Sequence, residues 1–98
     1  IMQQQDLKLQ IQALEQLKIE LDSLVKDLGN RGNSYFQHVK ALAQSGLDVN
    51  LTKTYESKYW QPDYAMLKQL SGHIKQHDIK YVEKCIEGAK AALARYEH

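Results

Sequence analysis

The sequence predicts an all-α protein, a small helical bundle in which a long N-terminal helix packs against two shorter C-terminal helices. Three observations carry that reading. Apolar residues recur every three or four positions along most of the chain. No segment alternates apolar and polar residues as a half-buried strand does. Glycine, proline and asparagine gather at only three places, residues 29–33, 45–50 and 61–63, which leaves long uninterrupted stretches between them.

The first helix is predicted from about residue 4 to about residue 45. Leu7, Ile11, Leu14, Leu17, Leu21, Leu24, Val25 and Leu28 step by three and four, and at 100° per residue they fill an arc of roughly 140°. The glutamines Gln3, Gln4, Gln5, Gln10, Gln12 and Gln16 are good helix formers and make a solvated start. Glu15 with Lys18, and Asp22 with Lys26, have the spacing of ion pairs on the exposed side. Gly29 and Gly32 weaken a helix. Yet Tyr35, Phe36, Val39, Leu42 and Ala43 continue the same angular face, within roughly 10–20°. A turn has no reason to preserve phase, so one helix through the glycines is expected. The alternative is a break at 29–33 with Asn33 or Ser34 as N-cap.

Beyond Gly46, Thr52 reads as the cap of a short helix carrying Tyr55, Tyr59 and Trp60. Pro62 suits the first turn of a helix over 62–76, because its missing N–H costs nothing there. Met66, Leu67, Leu70 and Ile74 are its expected buried face. A last helix over 78–97 buries Val82, Cys85, Ile86, Ala89, Leu93 and Tyr96 from Ile79 onward. The centre of this face is rotated by roughly 90° from the one before it. That loss of phase places a boundary at His77 and Asp78, with Asp78 as N-cap.

Composition narrows the function. Ninety-eight residues, 43% hydrophobic and 26% charged, suffice for a single helical domain over 1–98. A mean hydropathy of −0.58 is too polar for a bilayer protein. The single cysteine, Cys85, excludes an internal disulfide framework and fits a reducing, cytoplasmic setting. Ile1 ahead of Met2 reads either as a leftover residue before a native start or as the edge of an excised domain. A net charge of +1 gives no global attraction to nucleic acid or anionic lipid. No glycine-rich phosphate loop or other motif with a catalytic mechanism is present, so an enzyme is not expected, and neither is a cofactor.

Four constellations remain. Leu7, Leu14, Leu21 and Leu28 stand at seven-residue spacing, and as heptad d positions they place Ile11, Lys18 and Val25 at a. This is the pattern of a parallel two-stranded coiled coil, with Lys18 setting register, and it makes these seven residues the candidate self-association face of a homodimer or larger oligomer. Leu17 and Leu24 at g widen the stripe, which favours packing inside one chain. Tyr55, Tyr59, Trp60 and Tyr64 cluster around Pro62 as a candidate partner-binding corner. The plainer reading is an aromatic plug, with Trp60 inside and Tyr55 exposed. His73 and His77 share a helix face as metal ligands do, but lack the third and fourth ligands that zinc wants, and suit the last turn of a helix equally well. Finally, Lys68, Lys75, Lys80, Lys84, Lys90 and Arg95, with the nearby tyrosines, would suit a nucleic-acid accessory protein. Glu83, Glu87 and Glu97 interrupt that run, and Glu87 has the spacing to pair with Lys90. The expected function is therefore protein–protein interaction, as an accessory, adaptor, chaperone-like or regulatory subunit. Nucleic-acid binding is the alternative.

Overall fold

The computed structural model describes residues 4–46 and 48–97, and these are helical throughout apart from Ser45, Gly46 and Asp48. The first helix, α1 (Gln4–Gln44), runs unbroken through Gly29 and Gly32, so neither Asn33 nor Ser34 caps a second helix. Its apolar phase, kept across the glycines, outweighs their backbone cost. The helix ends where Ser45 bonds back to the Leu42 carbonyl through both its amide (3.2 Å) and its hydroxyl (2.7 Å). Gly46 follows at φ +83°, a left-handed conformation that closes the C-terminus and that a side chain would strain.

The second helix, α2 (Val49–Tyr55), is capped by Asp48, not by Thr52. The Asp48 carboxylate accepts from the Asn50 amide at 2.9 Å. Thr52 lies one turn in, buried at 6% exposure, with its amide and hydroxyl both directed to the Asp48 carbonyl. A single π turn (Glu56–Trp60) then leads directly into α3 (Gln61–His73). Pro62 has no N–H to give, and its ring crowds the carbonyl four residues back. The widened turn immediately before it relieves that crowding without ending the helix.

A second π turn (Ile74–Asp78) joins α3 to α4 (Ile79–Glu97), with the Ile79 amide bonded to the Ile74 carbonyl five residues back. The boundary expected at His77 and Asp78 is therefore absent. Asp78 is helical and caps nothing, and the helices expected over 62–76 and 78–97 are one joined segment. The reason is geometric. One extra residue in a turn rotates everything after it by about 100°. A loss of phase that reads as a break is absorbed inside the helix.

Two compact units result, and each is an antiparallel helix pair. Unit 1 comprises Ile1–Leu24 and His73–His98. Its interior is Leu7, Ile11, Ile74, Ile79, Val82, Ile86 and Ala89, each at most 9% exposed. Unit 2 is Val25–Gly72, with Val39 and Thr52 buried and Tyr35, Trp60, Tyr64 and Leu67 half-buried. Gly32 is buried in this unit, and a Cβ at that position would stand 3.7 Å from the Leu67 side chain, an ordinary contact.

Met66 and Leu70, expected inside, are 59% and 48% exposed. The inward row of this segment runs through Trp60, Tyr64, Leu67, Ser71 and Ile74, because the large rings take the interior and turn the two aliphatic residues toward water. Among the described residues there is no strand, and no helix is long and apolar enough to cross a membrane.

Candidate interaction site

Where the heptad residues lie decides what each side of unit 1 can do. Leu7 and Ile11 are buried, while Leu14, Lys18, Leu21, Val25 and Leu28 are half-buried. The seam thus faces the interior of its own chain. Leu17 and Leu24, which stand beside it, are 47% and 44% exposed.

The two open sides of unit 1 differ. On one, Glu15 of α1 meets Lys90 of α4 at 3.5 Å. These two residues, whose helical spacing suits Lys18 and Glu87, pair across the helices instead. Their side chains are 50% and 61% exposed, so the bridge holds the edge in place and adds little stability. On the other side, Leu17 and Leu21 of α1 line an open groove of about 610 Å³ with Gln76, His77, Asp78, Tyr81 and Val82. The Tyr81 ring at its rim is 69% exposed. Cys85, half-buried, sits between the Val82 and Ile86 row and this open side. The groove is apolar along its floor, is bordered by the second π turn, and has no helix across it within the unit.

The histidines stand at that border. The rings of His73 and His77 are 4.7 Å apart, and His73 Nε2 lies 3.6 Å from Asp78 Oδ1. His73 stands just before the second π turn and His77 within it, in a continuous helix rather than at the end of one. Among the described residues, no group of three or more His, Cys, Asp or Glu side chains is placed to hold a metal ion.

In unit 2 the aromatic rings form two groups. Trp60 packs on Phe36 at 5.3 Å and on Tyr64 at 5.4 Å, and Tyr55 lies against Tyr59 at 5.5 Å. Lys68 Nζ sits 5.0 Å from the centre of the Tyr64 ring, which commits that ammonium to a cation–π contact. Tyr55, expected to be exposed, is half-buried, because its hydroxyl lies 2.7 Å from that of Tyr35. Tyr59 is instead the more exposed ring of that pair, at 56%. Trp60 is half-buried, and its indole N–H is withdrawn from solvent with no hydrogen-bond partner.

Tyr35 also donates to Asp63 Oδ2 at 3.1 Å. Its hydrogen bond with Tyr55, its partial burial and its donation to Asp63 all favour the neutral phenol, so Tyr35 ionises well above the ordinary tyrosine range. This polar bridge fastens α1 to the segment around Pro62, and sequence reasoning missed it. Tyr35 reads as one more member of an apolar face, and nothing in the spacing gives away an acceptor twenty or more residues on. The chain matches no family model, no curated protein and no solved structure.

Proposed function

We propose that this chain is a non-enzymatic protein–protein interaction module, an accessory, adaptor, chaperone-like or regulatory subunit that works through helical surfaces in the cytoplasm. The observation that carries this reading is the asymmetry of unit 1. One open side is charged and ion-paired, whereas the other presents Leu17, Leu24 and Tyr81 around an apolar groove. Helix pairs cover such grooves with a further helix, and an amphipathic helix laid into a groove is a standard mode of recognition. Tyr59, Met66 and Leu70 give unit 2 a second exposed apolar strip of the same kind.

The test is a photo-crosslinking amino acid in place of Tyr81, followed by identification of the adducts by mass. A protein adduct formed at physiological salt supports the reading. Absence of any protein adduct, together with oligonucleotide binding that weakens steeply with added salt, replaces it with the nucleic-acid alternative.

A further inference from the structure

We infer that unit 2 carries a binding site for a small carboxylic acid with an apolar body, set between α1 and α3. This goes beyond the interaction module and draws on nothing in unit 1. The site is a cavity of about 210 Å³ whose apolar lining is Leu28, Gly32 and Leu67. Drug-sized ligands occupy roughly 300–1,000 Å³, so the occupant here is smaller, on the order of ten non-hydrogen atoms.

The fold by itself accounts for neither glycine on the α1 wall. Gly29 and Gly32 both lie within α1, where each destabilises the helix relative to alanine. Among the described residues positive φ is confined to Gly46, so neither serves a left-handed turn. Packing does not call for them either. A Cβ at Gly29 meets nothing within 4 Å, and one at Gly32 meets only the Leu67 side chain, at 3.7 Å. Both glycines line the cavity, and a side chain at either position would take up space that a ligand otherwise has. The pair keeps that wall at backbone thickness.

The polar groups set the ligand class. Asn33, Tyr64, Lys68 and Ser71 line the same cavity, and each can donate a hydrogen bond. Among the described residues, none of these four side chains has a hydrogen-bond or ion-pair partner. Lys68 is the one charged residue in the lining. Its ammonium stands 5.0 Å from the centre of the Tyr64 ring, a contact that places the charge without neutralising it. The acids next to the site in sequence do not compete for it. Asp63 accepts from Tyr35, and at 100° per residue Asp27 lies on the far side of α1 from Gly29 and Gly32. One ammonium amid three neutral donors matches a carboxylate, a single charge on two acceptor oxygens, whereas a phosphate dianion calls for more cations. Leu28 and Leu67 then receive the apolar body.

The probe is phenylacetate, titrated into the full chain and followed through backbone amide chemical shifts. Saturable shifts of the Gly29, Gly32, Lys68 and Ser71 amides are expected, with a Kd of about 0.1–1 mM for so small a ligand. Phenylacetamide, its uncharged counterpart, should bind at least about tenfold more weakly. Lys68→Gln should weaken phenylacetate binding about tenfold, while Lys40→Gln, which removes a different cation of unit 2, should leave it unchanged. Gly29→Leu should abolish the shifts while the melting temperature holds or rises, an outcome that a purely structural glycine would not give. Lack of saturation by about 10 mM, equal affinity for phenylacetamide, or binding indifferent to Gly29→Leu or Lys68→Gln would each overturn the inference. Phenyl phosphate bound more than about tenfold tighter than phenylacetate would overturn the carboxylate and assign a phosphate monoester instead. None of these outcomes bears on the adducts formed at position 81, so the two readings fail separately.

Discussion

Leu70 and Ile74 stand four residues apart on one apolar stripe, yet Leu70 is 48% exposed and Ile74 only 3%. Replacing each by alanine removes the same number of carbons, so the difference in cost measures the inward direction at the second π turn. For Ile74→Ala, roughly 0.8 kcal/mol per methylene-sized group gives about 2.4 kcal/mol for transfer alone. The cavity left between α1 and the π turn raises this to about 3–4 kcal/mol. For Leu70→Ala, half of that surface is already in water, so transfer costs about 1 kcal/mol, partly offset by the better helix propensity of alanine. A chain of 98 residues has about 5–15 kcal/mol in total. Ile74→Ala should therefore lower the urea midpoint severely and Leu70→Ala only slightly, with equal slopes, when unfolding is followed by circular dichroism at a helical wavelength. A difference below about 1 kcal/mol between the two variants would refute the inward placement of Ile74 and the outward placement of Leu70, because both residues would then share one environment.

Gly29→Ala should stabilise the chain by about 0.5–1 kcal/mol in the same melts, since a Cβ there meets nothing within 4 Å in a continuous helix. Gly46→Ala should cost about 1 kcal/mol or more, because its φ of +83° is strained for any side chain. Alkaline titration followed by phenolate absorbance should show one tyrosine ionising late, and Tyr35→Phe should abolish that step. The linkage has a definite sign. With its folded pKa raised, Tyr35 contributes stability that is complete below the unfolded tyrosine value of about 10 and is lost as pH climbs above it. Trp60→Phe should cost less than about 1 kcal/mol, because it removes a buried N–H that has no acceptor, whereas Trp60→Ala should cost about 3–5 kcal/mol.

The helical class, the continuity of α1 and the turn at Gly46 are legible in the residues because each rests on a local signal: period, phase or a left-handed glycine. What spacing conceals is of another kind. A π turn and a chain break produce the same rotation of the apolar face, and only hydrogen bonding tells them apart. Met66 and Leu70 are as apolar as Leu67, and their exposure follows from Trp60 and Tyr64 winning the competition for the interior. The Tyr35, Tyr55 and Asp63 bridge and the Glu15 and Lys90 pair are contacts between distant segments, which no count along one helix reveals. For the candidate site, the heptad spacing marks a stripe that lies buried or half-buried against its own chain. Leu7, Leu14 and Leu21 face the interior of unit 1 and Leu28 that of unit 2, whereas Leu17 and Leu24, each one position before an a site, are left to face outward.

The π turn over Ile74–Asp78 also bears on how the length of this protein can change over evolutionary time. Gains and losses of single residues are ordinarily confined to loops, since in a regular helix each one spins all that follows by about 100°. A helix that already holds one surplus residue inverts this rule. A descendant lacking one exposed position there, such as Gln76, would recover plain α geometry and keep Ile74 and Ile79 in line with the same interior. Lineages of this chain can therefore differ by one residue in mid-helix, over 74–78, without any change of fold.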